Sequence, residues 1–167
     1  MRYVEIVEAL AARGIRFVIV GGVAVVLHGV PRTTFDLDVL LDLNAENVRA
    51  FIDVMAEQGL AARAPVDPFG LADADMRNTW ITQKNLKAFS FADPRGGTVD
   101  VLLVAPVDYA GAIADAQEIS VRAAKVKIAS IPTLIRLKEA AGRDKDRSDI
   151  EALQLVQRLV AEDEEGK

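Results

Sequence analysis

One stretch of the chain, residues 20–38, decides the fold, and it reads VGGVAVVLHGVPRTTFDLD. The β-branched run Phe17–Val20 leads into this stretch and is typical of a short strand. Gly21 and Gly22 follow as a turn, and the apolar residues Val23–His28 predict a brief helix before a glycine and a proline end it. The sequence therefore predicts a strand, a Gly-Gly turn and a helix.

Two acids close this stretch, at the start of a second apolar strand predicted over Asp36–Leu41. Side chains alternate faces along a strand, so Asp36 and Asp38 share one face with their Cα atoms about 7 Å apart. Like charges this close in an apolar strand destabilise it unless water or cations meet them. A bare Asp-x-Asp is more often a solvated strand edge, but the preceding Gly-Gly turn favours a magnesium site.

A third acid, Asp100, interrupts the otherwise apolar segment Thr98–Val104, which also has strand composition. If the two strands are neighbours, Asp36, Asp38 and Asp100 can hold two hard cations, Mg²⁺ or Mn²⁺, about 4 Å apart, as in phosphoryl-transfer sites. One cation would activate an attacking hydroxyl, and Asp100 is the candidate to accept the proton of that hydroxyl.

The two glycines match neither G-x-G-x-x-G nor G-x-x-x-x-G-K-[ST], so another mode of phosphate binding is needed. At a strand-to-helix turn, glycine lets the backbone come close to a phosphate. With 13 residues between Gly22 and Asp36 and a third acid on a later strand, the pattern resembles the polymerase-beta-like nucleotidyltransferase superfamily. The segments LIRLK (134–138) and GRDKDRSDI (142–150) resemble a C-terminal signature of its bacterial branch related to abortive-infection and toxin-antitoxin nucleotidyltransferases.

This resemblance extends over most of the chain and implies an α/β (α+β) nucleotidyltransferase fold, in which a mixed β-sheet is flanked by helices and followed by a C-terminal helical extension. The implied reaction transfers a nucleoside monophosphate from a nucleoside triphosphate such as ATP and releases pyrophosphate. The acceptor would be a hydroxyl of a protein, an RNA end such as that of tRNA, or a small molecule. A toxin-antitoxin or phage-defence setting would add an operon partner protein.

The resemblance places the nucleotide against Gly21 and Gly22, and three further residues are expected at this site. Arg32 is either a ligand of the β- or γ-phosphate or a surface arginine in a turn. Thr34 is expected to hold Asp36 in place. Lys138 either points at the triphosphate or belongs to a solvated helix face. Three residues that follow it are expected to orient it, to meet substrate or to pair structurally: Arg143, Asp146 and Asp149.

Composition narrows the class of protein. A chain of 167 residues suits one core, and the absence of cysteine excludes disulfides and thiolate zinc sites and suits the cytoplasm. The net charge of -5 argues against extended nucleic-acid binding, because the dense basic stretch is confined to residues 143–147. We expect no membrane association, and no signal sequence, because Glu5 and Glu8 interrupt the first apolar pattern.

The rest of the chain predicts further helices and strands, and a domain boundary near residue 106 that no linker marks. Helices are predicted over Arg2–Arg13, Ala45–Gln58, Val107–Ala116, Pro132–Ala141 and Asp146–Ala161, with short strands near Ile119 and Val126. Segments 86–91 and 98–104 predict a hairpin, and residues 64–77 read as an irregular stretch. We divide the chain into a catalytic core (1–106), a mostly helical part packed on it (107–161) and an acidic tail without regular structure (162–167).

Two other functions remain open at this stage. A catalytically silent protein with the same fold would bind a partner, as an antitoxin-like module, and a nucleotide sensor would bind without turnover. His28 is expected to be structural, and Trp80, Phe89 and Phe91 are expected in the core and not against a base. The sequence leaves open the nucleotide base, the acceptor, a toxin or antitoxin role and the oligomeric state.

Overall fold

The computed structural model describes residues 3–165 of the chain. Its helices are α1 (Tyr3–Ala12), α2 (Gly21–Leu27), α3 (Ala45–Glu57), α4 (Ala74–Lys84), α5 (Tyr109–Ile113), α6 (Ile131–Ala141) and α7 (Asp144–Glu165). Its strands are β1 (Phe17–Val20), β2 (Leu37–Leu41), β3 (Ala61–Ala62), β4 (Ala88–Ala92), β5 (Thr98–Leu102), β6 (Gln117–Val121) and β7 (Ala124–Ile128). A short 3₁₀ helix, Pro68–Ala72, precedes α4.

The strands form one mixed sheet in the order β3-β4-β5-β2-β1-β7-β6. Strands β2 and β5 are parallel neighbours, as are β1 and β7, whereas β1 and β2, β4 and β5, and β6 and β7 pair antiparallel. Asp38 pairs with Asp100 in the register of β2 and β5, and Val20 pairs with Asp38 in that of β1 and β2. The predicted α/β class with a mixed sheet flanked by helices is confirmed.

One face of the sheet carries an aromatic core. Phe89 and Phe91 alternate with Ser90 along β4 and are buried together, so they lie on the face opposite the one that carries Asp100. Phe91 meets the ring of Phe51 from α3 edge-on at 5.8 Å, and the ring of Trp80 from α4 stacks on Phe89 at 5.3 Å. As expected from the sequence, these aromatic residues belong to the core.

The other face is covered in part by helices. Helix α2 packs on β1 and β2 and contacts α6, and α6 packs on α7. Ser130 caps α6 by accepting a hydrogen bond from the backbone N–H of Thr133. Along β4 and β5 the residues on this face are half-buried, whereas those on the core face are buried.

Several element boundaries differ from the prediction. Helix α2 begins at Gly21 and not at Val23, β2 begins after Asp36, and α5 is shorter than expected. The stretch expected to be irregular holds the 3₁₀ helix and the start of α4, whose N-cap is Asp73. The sequence pattern missed α4 because its one buried residue is Trp80, so it has no apolar stripe at helical spacing.

The C-terminal part also departs from expectation. Helix α7 continues through residues 162–165, which were expected to be an unstructured acidic tail, while Gly166, Lys167 and the predicted helical residue Arg2 lie outside the described residues. Strands β6 and β7 join the same sheet as the N-terminal strands. The domain boundary near residue 106 stays a prediction. No helix between residues 3 and 165 is long and apolar enough to cross a membrane.

The packing of α4 predicts a strong effect of truncating its buried aromatic residue. Trp80→Ala should lower the free energy of unfolding by about 3–5 kcal/mol, since the 2% exposed indole fills the space beside Phe89. Phe35→Ala, at a 65% exposed aromatic, is the matched control and should change it by less than about 0.5 kcal/mol. Urea unfolding measures both, and equal effects would contradict this packing.

Candidate active site

The Gly-Gly turn places bare backbone against an acid. Gly21 has a φ of +61°, and a Cβ atom there would lie 2.7 Å from the carboxyl carbon of Asp38. A Cβ atom on Gly22 would lie 2.7 Å from Thr34 Oγ1 and 3.3 Å from the guanidinium carbon of Arg32. Both positions therefore need glycine for reasons of space, and at Gly21 the left-handed backbone adds a second reason.

Two of the three predicted acids lie side by side on the open face of the sheet. Asp38 and Asp100 are paired in register on adjacent strands, where neighbouring backbones are about 4.8 Å apart. Burial raises the pKa of Asp38 to about 6, with further contributions from the negative charges of Asp100 and Asp36, and Arg143 and Lys138 act in the opposite direction. Within residues 3–165, Asp100 Oδ1 is buried without a hydrogen-bond partner.

The third acid, Asp36, is exposed and is hydrogen-bonded to Thr98. Its Oδ1 accepts hydrogen bonds from the backbone N–H of Thr98 at 3.1 Å and from Thr98 Oγ1 at 3.0 Å. The hydroxyl of Thr34 donates to the backbone carbonyl of Asp36 at 3.3 Å, so Thr34 contacts Asp36 as predicted, but at its backbone and not at its carboxylate. Thr98 is the residue that holds the carboxylate.

These acids fit a divalent cation in part. Among the described residues, no three acids, histidines or cysteines are grouped closely enough to hold a metal ion as their side chains lie. Asp38 and Asp100 nevertheless offer paired carboxylates, one of them with a buried oxygen that lacks a partner, and hard oxygen ligands suit Mg²⁺ and Mn²⁺. Asp36 would have to leave Thr98 to complete a site of three acids.

A buried ionic cluster joins α6 and α7 to the loop before β2. Lys138 Nζ, on a side chain 5% exposed, lies 2.6 Å from Asp149 Oδ2 and 3.3 Å from Asp146 Oδ1. Arg143 Nε donates to Asp146 at 2.7 Å, and Arg32 donates to Asp149. Three cations meet two carboxylates here, which leaves an excess of one positive charge, and two of these cations act on the pKa of Asp38.

This cluster corrects two of the alternatives from the sequence. Lys138 does not lie on a solvated helix face, because its side chain is buried between two carboxylates. Arg32 is not a free surface arginine, because it pairs with Asp149. Asp149 contacts both cations and is the structural partner that the sequence indicated, whereas phosphate binding by Arg32 and Lys138 stays a prediction.

A cleft of about 700 Å³ opens beside the acids. It is lined by Val20, Gly21 and Asp38, by residues of α6 that include Lys138, and by residues at the start of β4 and at the end of β5. The carboxylate of Asp38 thus reaches a space large enough for a small molecule.

Sequence reasoning missed two residues near this site. Phe35 lies between Thr34 and Asp36 and is 65% exposed, and the only signal for it was its place beside the predicted acid. Lys87 lines the cleft just before β4, in a segment with no motif. His28 has the structural role expected of it, because its Nε2 donates to the carbonyl of Ala129 at 2.8 Å.

No known family profile and no curated protein sequence matches this chain. Among solved structures, the lincosamide antibiotic adenylyltransferase LnuA, in its lincomycin-bound crystal structure, is similar with a TM-score of 0.62 at 15% identity, covering 93% of this chain and 98% of that protein. The antibiotic-resistance factor ANT(2'')-Ia is similar with a TM-score of 0.55 at 13% identity, covering 97% of this chain and 90% of that one.

An antigenic nucleotidyltransferase-like protein from Paracoccidioides brasiliensis is similar with a TM-score of 0.50 at 18% identity, covering 93% of this chain and 73% of that protein. Likeness at such low identity concerns the fold. The prediction of a nucleotidyltransferase fold is therefore confirmed, and the chemistry has to be argued from the site.

The close approach of Gly21 to Asp38 predicts a substitution pair. Gly21→Ala and Gly29→Ala both place a side chain at positive φ, but only the first meets Asp38, since nothing lies within 4 Å of a Cβ atom at Gly29. We expect Gly29→Ala to lower the free energy of unfolding by about 1–2 kcal/mol and Gly21→Ala by clearly more. Denaturant unfolding compares them, and equal losses would contradict this contact.

The raised pKa of Asp38 predicts a pH dependence in the absence of divalent cations. Since the pKa is about 6 in the folded state against an ordinary 3.8, the folded protein binds more protons between about pH 4 and 6. The contribution of this group to stability therefore falls as pH rises through that window. Asp38→Asn should gain stability over wild type as pH rises from 4 to 7 in chelator-treated buffer. Parallel curves of unfolding free energy against pH would contradict the shift.

Proposed function

We propose that this chain is a nucleotidyltransferase that moves a nucleoside monophosphate from a nucleoside triphosphate to a hydroxyl of an acceptor, with Mg²⁺ or Mn²⁺ as cofactor. The observation that carries this proposal is the pair of carboxylates, Asp38 and Asp100, which are paired in register, with Asp38 against the bare backbone of Gly21 and both of these residues lining a cleft. Buried polar atoms are normally hydrogen-bonded, so two adjacent acids with a buried, unpaired oxygen are unexpected in a sheet that has only a structural role.

In this proposal the glycine turn contacts the triphosphate and the acids bind the cations. Gly21 and Gly22 bring bare backbone against Asp38 and against Thr34 and Arg32, and this backbone with its neighbours would face the triphosphate. The excess positive charge of the cluster around Lys138 attracts the phosphates to the α6 side of the cleft. Asp38, Asp100 and, once released from Thr98, Asp36 would hold the cations, which polarise the α-phosphate and lower the pKa of the attacking hydroxyl when bound.

The transfer forms one bond to the α-phosphorus and breaks another. The acceptor oxygen bonds to the α-phosphorus, the bond from that phosphorus to the oxygen bridging to the β-phosphate breaks, and pyrophosphate leaves with the bonding electrons. Asp100 is the proposed acceptor of the hydroxyl proton, because its buried Oδ1 has no other hydrogen-bond partner in residues 3–165. Asp38 stays a cation ligand throughout.

Among the acceptors open from the sequence, we favour a small molecule. The cleft has the size of a small-molecule site, and the net charge of the chain is -5, which disfavours an RNA end. The structurally similar LnuA is an adenylyltransferase of lincosamide antibiotics, which supports ATP as the nucleotide donor to test first. A toxin-antitoxin role with an operon partner has no comparable support.

The proposal predicts loss of transfer in an acid variant that still folds. Asp38→Asn should lower nucleotidyl transfer by about 100-fold or more, because a ligand of the charged transition state is removed. Asp53→Asn, an exposed acid on α3, should keep wild-type activity. The measurement is transfer of label from α-labelled nucleoside triphosphates, with Mg²⁺ or Mn²⁺, to a library of hydroxylated small molecules.

A second measurement separates an enzyme from a silent binding module. Wild type should melt at a higher temperature with Mg²⁺ and ATP than with either alone, and Asp38→Asn should not. Full transfer activity in Asp38→Asn would contradict the proposal. Absence of both transfer and nucleotide-dependent stabilisation in wild type would favour the partner-binding module instead.

A further inference from the structure

The cleft has two apolar walls that face solvent. One wall continues from the end of β5, and the other is the exposed side of α6: Val104, Ala105 and Pro106 against Leu137, Ala140 and Ala141. Val104 is 51% exposed, although it is a large apolar side chain. Apolar side chains on both walls of an open cleft suit a ligand with an apolar body.

The charges along the cleft are unequal in sign. Of its lining residues only Asp38 is acidic, whereas Lys87, Lys138 and Arg143 are basic. Asp38 belongs to the proposed cation site, and the other two cations of the α6 side are paired with Asp146 and Asp149. Lys87 is different, because it forms no ion pair with any carboxylate whose side chain the structure describes.

Lys87 is tied to the apolar wall through its backbone. Its carbonyl accepts hydrogen bonds from the N–H groups of Leu103 at 2.9 Å and Val104 at 3.1 Å. The cation is thus held where the wall begins, while its side chain stays exposed. A ligand lying along this wall would meet Lys87 at one end and the acids at the other.

The cleft reaches the acids from the side of the proposed proton acceptor. Leu102, on the cleft floor, follows Asp100 by two residues on the same face of β5, a separation of about 7 Å between Cα atoms. Leu102 pairs in register with Ala88 of β4, which also lines the cleft. A hydroxyl on a ligand in the cleft would therefore approach the α-phosphate from the side of Asp100.

We propose that the part of this cleft lined by Lys87 and the apolar residues, as distinct from the part lined by Gly21 and Lys138 that takes the phosphates, is the acceptor subsite, and that it selects a small hydroxylated molecule with an apolar body and an anionic group, such as a carboxylate, which Lys87 meets. A polycationic acceptor does not fit, because such a ligand requires several carboxylates and the cleft offers one. This inference rests on the proposed function, since it assigns the acceptor of that reaction.

Three probes of one shape test the charge preference without turnover. They are 2-naphthoate, 2-naphthalenemethanol and 2-naphthylmethylammonium, titrated into protein labelled at its alanine methyl groups and followed by NMR. We expect 2-naphthoate to shift the methyl signals of Ala105, Ala140 and Ala141 and to bind more tightly than the ammonium probe. Equal affinities for the two charged probes, or shifts confined to other alanines, would overturn the proposal.

A matched pair of lysine variants tests the role of Lys87. Lys87→Gln should weaken 2-naphthoate binding by about threefold to fivefold, the size of one partly exposed ion pair, and leave 2-naphthalenemethanol unchanged. Lys84→Gln, at an exposed lysine near the end of α4 and outside the cleft lining, should change neither. An equal loss of the charged and neutral probes in Lys87→Gln would contradict a charge-based role.

A titration in the presence of nucleotide shows whether the cleft binds the acceptor or the base of the nucleoside triphosphate. With a non-hydrolysable ATP analogue and Mg²⁺ present, 2-naphthoate should still shift Ala140 and Ala141, whereas its displacement would assign the cleft to the nucleoside base and overturn the proposal. Analogue-dependent thermal stabilisation reports separately on the proposed function. Probe selectivity without that stabilisation would count against the enzyme alone, and stabilisation without selectivity would count against the acceptor class alone.

Discussion

The rest of the site depends on the register between β2 and β5, which sets Asp38 beside Asp100. Side chains alternate between the two faces along each strand. Leu37 and Val39, which flank Asp38 on β2, are therefore buried in the core on the opposite face. A slip of one residue would bury the acids and expose the core, so the same pairing that builds the hydrophobic interior fixes the two carboxylates. The neighbouring turn must then be glycine, because Gly21 lies against Asp38.

Helices α6 and α7 are held beside the site by ion pairs as well as by apolar packing. Asp149 on α7 pairs with Lys138 on α6 and with Arg32 in the loop before β2, so three segments meet at one carboxylate. Removing a partner from such a buried cluster leaves a charge without compensation, which is strongly destabilising. The cluster therefore fixes the position of α6, and with it one wall of the cleft, relative to the acids.

The sequence predicted the local parts of the site and not their assembly. The pattern of residues 20–38 led to the strand and the Gly-Gly turn, whereas the place of Asp100 beside Asp38 depends on the long-range pairing of β2 with β5, which the sequence left as a condition. The pairing of Arg32 with Asp149 could not be predicted, since it joins residues 117 positions apart. Helix α4 was missed because a single buried side chain, Trp80, leaves no periodic pattern. Lys87 and the apolar walls become a cleft only when β4, β5 and α6 meet.

The central claim is that Asp38 and Asp100 form a cation site that the nucleotide completes. Electron paramagnetic resonance of Mn²⁺, titrated into the protein with a non-hydrolysable ATP analogue, tests it most directly, because free and bound Mn²⁺ give different signals. The account predicts that wild type binds Mn²⁺ together with the analogue and that Asp38→Asn and Asp100→Asn bind it more weakly than the Asp53→Asn control. Equal Mn²⁺ binding by all of these proteins, or none by wild type, would contradict it.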